Sequence, residues 1–227
     1  MTLRVIKFHT KGISQVAFTL DGAMVVSVGM DDNRLVAVHN LATGILIGKG
    51  KAGRGVSIYG IAVGAKCFVT CGKNHVKFWD LPNDNPVGEL SSKTGLFGKA
   101  TVKKTAVCTA FLNNDAVTGM SDGNLLQWKG RTGANVARGH GKAVTAMCSL
   151  DEGHFKLASG GADGKICLWN AQMQKVIELP VSEFSLTSRC AKVQSLNAKD
   201  GRLVIGTIAS EIYEVDITAT RRDAFPA

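Results

Sequence analysis

Apolar and polar positions alternate along this chain in short bursts and never over a helical span. Leu35-Val36-Ala37-Val38, His75-Val76-Lys77-Phe78-Trp79 and Glu211-Ile212-Tyr213-Glu214-Val215 crowd β-branched and aromatic residues between Gly, Asn and Asp, which predicts strands. Such breakers recur every few positions, so the caps and the ~10 uninterrupted residues of a helix are missing. Five times a strand ending in small residues turns into a second short apolar strand. These hairpins begin at Met24, Cys67, Asp115, Lys156 and Arg202. Ahead of each lies another apolar strand, around Val16, Ile61, Val107, Val144 and Val193, so the unit recurs every 37 to 49 residues. That period suits a propeller blade.

Outer-strand candidates follow the hairpins: Ile45-Leu46-Ile47, the weak Val87-Gly88-Glu89-Leu90, Ala134-Asn135-Val136-Ala137 and Lys175-Val176-Ile177-Glu178-Leu179. The expected fold is therefore an all-β propeller of about five four-stranded blades, spanning 3–42, 43–90, 91–137, 138–180 and 181–217, with a tail at 218–227. An incomplete ring leaves strand edges and apolar blade faces uncovered. Leu3-Arg4-Val5-Ile6-Lys7-Phe8 offers one remedy, as an outer strand beside Glu211 to Val215 that closes a five-bladed ring. The preferred remedy is a longer chain or a second protein that fills the gap.

The fourth unit carries the sharpest signature. Gly139-His140, Ser159, Asp163 and Trp169-Asn170 stand at the spacing of a GH-to-WD repeat, and the chain resembles the WD-repeat family. That resemblance implies a structural hydrogen-bonded relay through His140, Ser159, Asp163 and Trp169. The other units are atypical. The first keeps His9, Ser27 and Asp31 or Asp32 but has His39 at the Trp position. The second keeps Trp79-Asp80, with Lys73 where the turn Asp belongs. The third keeps Thr118, Asp122 and Trp128, with Lys103 near the His position. The fifth has Ala209 and Val215 at the Asp and Trp positions.

In order along the chain stand SVGMDDNRLVAVHN, FVTCGKNHVKFW, TGLFGK and IGTIASEIYEV. Together they resemble the echinoderm microtubule-associated-protein-like family, over about Gly12 to Asp216. The resemblance implies a tandem atypical propeller and a tubulin or microtubule partner. It also implies a cytoplasmic, cytoskeletal location, with a ciliary or flagellar axoneme as its finer form. The family's N-terminal coiled coil and the hydrophobic motif that knits its two propellers are not visible here.

Composition sharpens this picture in two places. Lys and Arg number 27 against 18 Asp and Glu; residues 1–142 carry 18 basic and 8 acidic side chains, and residues 143–227 carry 9 and 10. The positive excess thus falls on the first three blades and favours acidic partners. Six cysteines, all but Cys190 inside predicted strands, read as reduced core thiols. The chain has neither a run of ~18 apolar residues nor the layout of a signal peptide, so an intracellular protein with no membrane partner is expected.

Enzyme motifs are poorly supported. Gly48-Lys49-Gly50-Lys51-Ala52-Gly53 fits G-x-G-x-x-G, but strand rather than helix follows it, so it reads as a flexible basic hairpin loop. Cys67 and Cys71 lie ~13 Å apart on one strand, too far to share a tetrahedral metal. Lys93-Thr94-Gly95 lacks its Ser-x-x-Lys companion, and no Walker loop or nucleophile elbow occurs. No catalytic residue, cofactor or metal is expected. Partner-binding candidates are the basic groups Lys49, Lys51 and Arg54; Lys93, Lys99, Lys103 and Lys104; and Lys129, Arg131, Arg138 and Lys142, all assigned to connections between strands. Phe97, beside Leu96, is their apolar anchor. The expected function is a non-enzymatic microtubule scaffold, with other scaffold proteins or a further propeller segment completing the ring. The alternatives are a nucleic-acid or ribonucleoprotein scaffold and a generic WD-repeat adaptor; the first lacks the interleaved exposed aromatics that stack bases.

Overall fold

In the computed structural model the described residues are 4–83, 85–86, 88–98, 105–150, 153–183 and 192–218. Apart from one 3-10 turn at Val181–Glu183, their regular structure is all strand. The first sheet is β1 (Ile13–Phe18), β2 (Met24–Gly29), β3 (Leu35–Asn40) and β4 (Leu46–Lys51). Next come β5 (Ser57–Val63), β6 (Cys67–Lys73) and β7 (His75–Asp80) of the second sheet. The chain then makes β8 (Gly88–Glu89), which pairs in parallel with β4, and β9 (Ser92–Thr94), which completes the second sheet beside β7. The third sheet is β10 (Ala106–Leu112), β11 (Asp115–Met120), β12 (Asn124–Lys129) and β13 (Thr132–Arg138). The fourth is β14 (Val144–Ser149), β15 (Leu157–Gly161), β16 (Lys165–Trp169) and β17 (Lys175–Pro180). β18 (Val193–Lys199), β19 (Arg202–Thr207) and β20 (Ile212–Asp216) form the fifth.

The sheets are variations of one blade. In all five, the pairing of the first strand with the second slips by one residue near its start, between Ile13/Gln15, Ile58/Gly60, Ala106/Cys108, Val144/Ala146 and Val193/Ser195. A bulge of this kind bends the strand and increases its twist. The first strands β1, β5, β10, β14 and β18 touch in that succession and form the inner ring, which puts β4, β9, β13 and β17 at the circumference. No comparable contact joins β18 to β1 among the described residues, so the five blades form an arc and not a closed ring.

Blade faces bury against one another through period-2 alternation. Val26, Val36 and Val38 of the first blade meet Ile58, Phe68 and Trp79 of the second. Val69, Val76 and Phe78 of the second then meet Phe111 and Trp128 of the third. At the start of the arc the same positions are bare: Val16 and Phe18, which correspond to the packed Ile61 and Val63, are 51% and 60% exposed.

Four expectations need correction. The outer strand of the second blade is β9, not Val87–Leu90, whose Gly88 and Glu89 instead extend the first sheet past β4. β4 is the fourth strand of the first sheet, so the first blade does not stop at residue 42; the hairpin after Asn40 is too tight to reach another blade. The fifth sheet has three strands among the described residues, not four. Residues 4–8 do not pair beside Glu211 to Val215. Arg4 donates from Nη1 to the Thr43 carbonyl at 2.5 Å, and Phe8 packs edge-on against His9 and His39, so the segment lies along the first blade.

Candidate functional site

Two groups of residues qualify as sites, the relay inside the blades and the cations on their rim. In the fourth blade the connection before β14 delivers His140, β15 carries Ser159, the β15–β16 turn carries Asp163 and β16 carries Trp169. The Trp169 indole N–H donates to Ser159 Oγ at 2.9 Å. Ser159 Oγ lies 2.8 Å from His140 Nε2, and His140 Nδ1 lies 3.1 Å from Asp163 Oδ1. Because the Asp163 carboxylate only accepts, the imidazole proton sits on Nδ1, and Nε2 of the neutral ring accepts the serine proton. Asp163 also accepts the Gly141 N–H at 2.8 Å. Burial pulls the His140 pKa down, and Asp163 only partly opposes this. Ser159 is fully buried, so no substrate reaches its hydroxyl; the set ties strands together.

The second blade has the same chemistry from another source. Thr70 Oγ1 accepts the Trp79 indole at 2.9 Å and stands 2.8 Å from Nε2 of His75. This histidine lies on β7, directly opposite Gly72, and not in the preceding connection. The sequence shows Lys73 in place of the turn Asp and gives no signal for His75; Gly72 opposite it is a glycine because a methyl there would stand 1.7 Å from the Ser57 carbonyl oxygen of β5. Burial, helped by Lys77, lowers its pKa to about 4. The third blade keeps the Trp128–Thr118 bond at 3.0 Å, and the Thr118 hydroxyl turns toward Met120 Sδ at 3.6 Å. Its Lys103 lies outside the described residues.

In the first blade His9 Nε2 lies 2.8 Å from Ser27 Oγ, but Nδ1 is 3.6 Å from Asp31 Oδ2 and neither of those buried atoms has a hydrogen-bond partner. Asp31, not Asp32, faces the relay; Asp32 pairs with Lys11 at 2.7 Å on the surface. The fifth blade, with Ile205 and Val215 at the Ser and Trp positions, has no relay.

Each relay tryptophan also needs a glycine on the blade before it. A methyl on Gly50 would stand 2.5 Å from Trp79, one on Gly95 2.9 Å from Trp128, and one on Gly139 3.0 Å from Trp169. This explains one glycine of the G-x-G-x-x-G run: Gly48 to Lys51 lie in β4, not in a flexible hairpin loop, and Gly50 makes room for indole. At the first blade the pair is exchanged. Phe8 precedes the relay His9 as Gly139 precedes His140, and fills the space that His39 leaves by not being Trp.

The cations are on strands more than in connections. Lys49 and Lys51 belong to β4, Lys93 to β9 and Arg138 to the end of β13, whereas Arg54 and Arg131 are in turns. All six are exposed, and none is paired with a carboxylate among the described residues. Lys49, Lys51, Lys93, Arg131 and Arg138 therefore lie on or beside the outer strands of blades one to three, and Arg54 on the connection from outer β4 to inner β5. Lys129, by contrast, is neutralised by Asp115 at 2.5 Å, and Lys165 and Lys175 both hold Glu178. Lys99, Lys103 and Lys104 lie outside the described residues. Phe97 is not a surface anchor: its ring is half-buried, 5.2 Å from Trp128, in the seam between the second and third blades. Leu96 beside it is 48% exposed and bonds through its backbone to Arg131 and Gly133.

Thiol chemistry finds no support in the described residues. The five described cysteines are free, and burial pushes the Cys108, Cys148 and Cys167 pKa values up to about 12, which suppresses the reactive thiolate.

Comparison with known proteins places this geometry. Residues 1–215 match the family model described as the echinoderm microtubule-associated protein first beta-propeller. Echinoderm microtubule-associated protein-like 2 of Rattus norvegicus is 40% identical over 119 residues, which are 51% of this chain and 18% of that protein. Echinoderm microtubule-associated protein-like 3 of Homo sapiens is 27% identical over 234 residues, covering 91% of this chain and 25% of that one. The chain thus spans about a quarter or less of the length of these curated relatives. Among solved structures, the computationally designed Ika8 protein superimposes with a TM-score of 0.65 at 21% identity, over 96% of this chain and 63% of that chain. The blades, their worn relays and the match along almost the whole length agree: this chain belongs to the echinoderm microtubule-associated protein family and corresponds to its first β-propeller.

Proposed function

We propose that this propeller is a non-enzymatic scaffold of the microtubule cytoskeleton, which meets an acidic tubulin surface through Lys49, Lys51, Arg54, Lys93, Arg131 and Arg138. The observation that carries the reading is the distribution of charge. In a family of microtubule-associated proteins, six exposed cations without carboxylate partners among the described residues fall on blades one to three, while on the fourth and fifth blades Lys165 and Lys175 are paired with Glu178 and Arg202 with Glu214, which leaves Lys142 and Lys199 exposed there. Exposed charges of this kind speed and orient encounter and lose their effect as salt rises. Lys99, Lys103 and Lys104 belong to the same basic group by sequence. A cytoplasmic cytoskeletal location follows from this reading, and a stable array such as a ciliary axoneme suits an open arc whose gap is filled by neighbouring scaffold proteins or a further propeller segment.

Co-sedimentation with polymerised tubulin at low and moderate salt, with RNA as competitor, tests the proposal. Binding at low salt that weakens with salt, and weakens again in the Lys49→Glu/Lys51→Glu/Lys93→Glu protein, is expected. A protein that stays in the supernatant at low salt overturns direct binding, and displacement by RNA favours the nucleic-acid scaffold.

A further inference from the structure

The two faces of the arc, at opposite ends of its strands, differ in charge. One face holds the turns before β3, β12 and β16, and each Asp there is engaged within the chain: Asp31 accepts the Leu35 N–H, Asp32 holds Lys11, Asp122 accepts the Asn124 N–H and Asp163 faces His140. Around these turns Lys51, Arg54, Lys73, Arg138 and Lys142 are exposed and have no carboxylate partner among the described residues. The opposite face mixes both signs, with exposed Asp21, Asp80 and Asp200 beside Lys66, Arg131 and Lys199. An acidic partner is therefore drawn to the first face. Met30 and Tyr59, 50% and 44% exposed, lie on that same face. The Met30 N–H donates to the Gly12 carbonyl at 2.7 Å, and its Sδ lies 3.1 Å from where a methyl on Gly12 would stand, which puts the thioether over the approach to β1. Tyr59 occupies the bulge of β5, the strand beside β1, and Lys73 pairs opposite Ser57, two residues before it. Neither exposure comes from the open start of the arc. Tyr59 has a blade on each side, and the positions that match Met30 in the second and third blades, Lys73 and Ser121, are exposed as well.

We propose that this face of the first two blades binds an extended acidic segment of a partner protein, with one apolar side chain seated between Met30 and Tyr59 and carboxylates on Arg54 and Lys73. The chemistry of the four side chains argues for that occupant. A tyrosine offers a large contact at little conformational cost and is enriched where binding energy concentrates. Met adapts its thioether to the shape it meets. Cations on either side reward carboxylates and steer their approach, with an effect that salt weakens. A nucleic-acid strand instead stacks successive bases on successive aromatic platforms, whereas Tyr59 is paired here with a methionine and serves one apolar residue. The surface shares only Arg54 with the rim cations assigned to tubulin. The inference does not rest on the microtubule reading and is tested without tubulin.

Fluorescence anisotropy of a labelled synthetic peptide, a run of Asp and Glu around a central Phe, reads the association directly. The peptide is expected to bind the protein at low salt and to weaken as salt rises, and the same peptide with Ser for Phe is expected to bind at least about tenfold more weakly. Tyr59→Ser and Lys73→Glu should each weaken binding by a similar factor and leave melting unchanged, because both side chains are exposed. Met30→Ser gives a second reading of the apolar contact. On the rim, Lys49→Glu/Lys93→Glu, which impairs tubulin binding if the microtubule reading holds, should leave the peptide nearly as tightly bound. Absence of binding at low salt, equal binding of the Phe and Ser peptides, or Tyr59→Ser and Met30→Ser both binding like the wild type overturns the proposal. So does an RNA oligonucleotide of equal charge that displaces the labelled peptide better than the unlabelled peptide does.

Discussion

The fourth and first blades start from the same relay residues and end differently. In the fourth, His140, Ser159, Asp163 and Trp169 satisfy one another, and Gly139 admits the indole from the neighbouring blade. In the first, Ser27 holds only His9, Asp31 stops 0.5 Å farther from its histidine than Asp163 does (3.6 against 3.1 Å), and Phe8 with His39 replaces the Gly–Trp pair. The lesson is that the relay divides into a packing part and a polar part. The packing part can be exchanged for another pair of rings; in the polar part, an Asp that stands too far away leaves its own oxygen and the facing His Nδ1 without partners.

The largest test of this division is Trp169→Ala, which leaves a cavity against Leu125 and Gly139 and deprives Ser159 of its donor; thermal or urea unfolding should report a loss of about 3–5 kcal/mol. Phe8→Ala in the first blade, where the ring is half-buried at the open end of the arc, should cost less. Equal losses at the two sites would mean that the first blade depends on its pair as strongly as the fourth.

Acid comes next. His75 has an ordinary value of 6.5 in the unfolded chain and about 4 when folded, and burial lowers His140 too. Between those values the unfolded state binds more protons, so stability is complete above pH 6.5 and falls as pH drops toward 4, by up to roughly 3 kcal/mol for His75. Urea midpoints measured from pH 7 to 4 should show this slope, and His75→Gln should flatten it.

A smaller contrast separates the two serines. Ser159→Ala strands both the Trp169 N–H and His140 Nε2, whereas Ser27→Ala strands His9 alone. Losses of about 2–3 and about 1 kcal/mol are expected in the same unfolding assay. The smallest effect belongs to the surface: Lys129→Ala removes an exposed pair with Asp115 and should change stability by less than about 1 kcal/mol.

The relay of the fourth blade was legible because its four members stand at fixed spacing, and spacing is what a chain displays. His75 was not legible, since it reaches Thr70 from the adjacent strand and from the wrong side of the turn. The rim cations were found as residues but placed in connections, because Gly48 and Gly50 look like loop residues until Trp79 is seen to require one of them. Phe97 looked like a surface anchor for a similar reason. It stands beside the second basic group in the sequence, and only the approach of Trp128 shows its ring packed in the seam between blades.

The sequence by itself determined the strands, their grouping into five repeating units and the family, because alternation and local spacing depend on neighbours within a few residues. Tertiary structure alone decided which sheet took each outer strand, so that Gly88-Glu89 went to the first blade and Ser92–Thr94 to the second. It also decided that residues 4–8 lie on the first blade, that the fifth sheet ends a strand short among the described residues, and that the arc stays open. An edge strand has the same local pattern whichever partner it finds. The choice rests on contacts between blades far apart in the chain, which no local pattern contains.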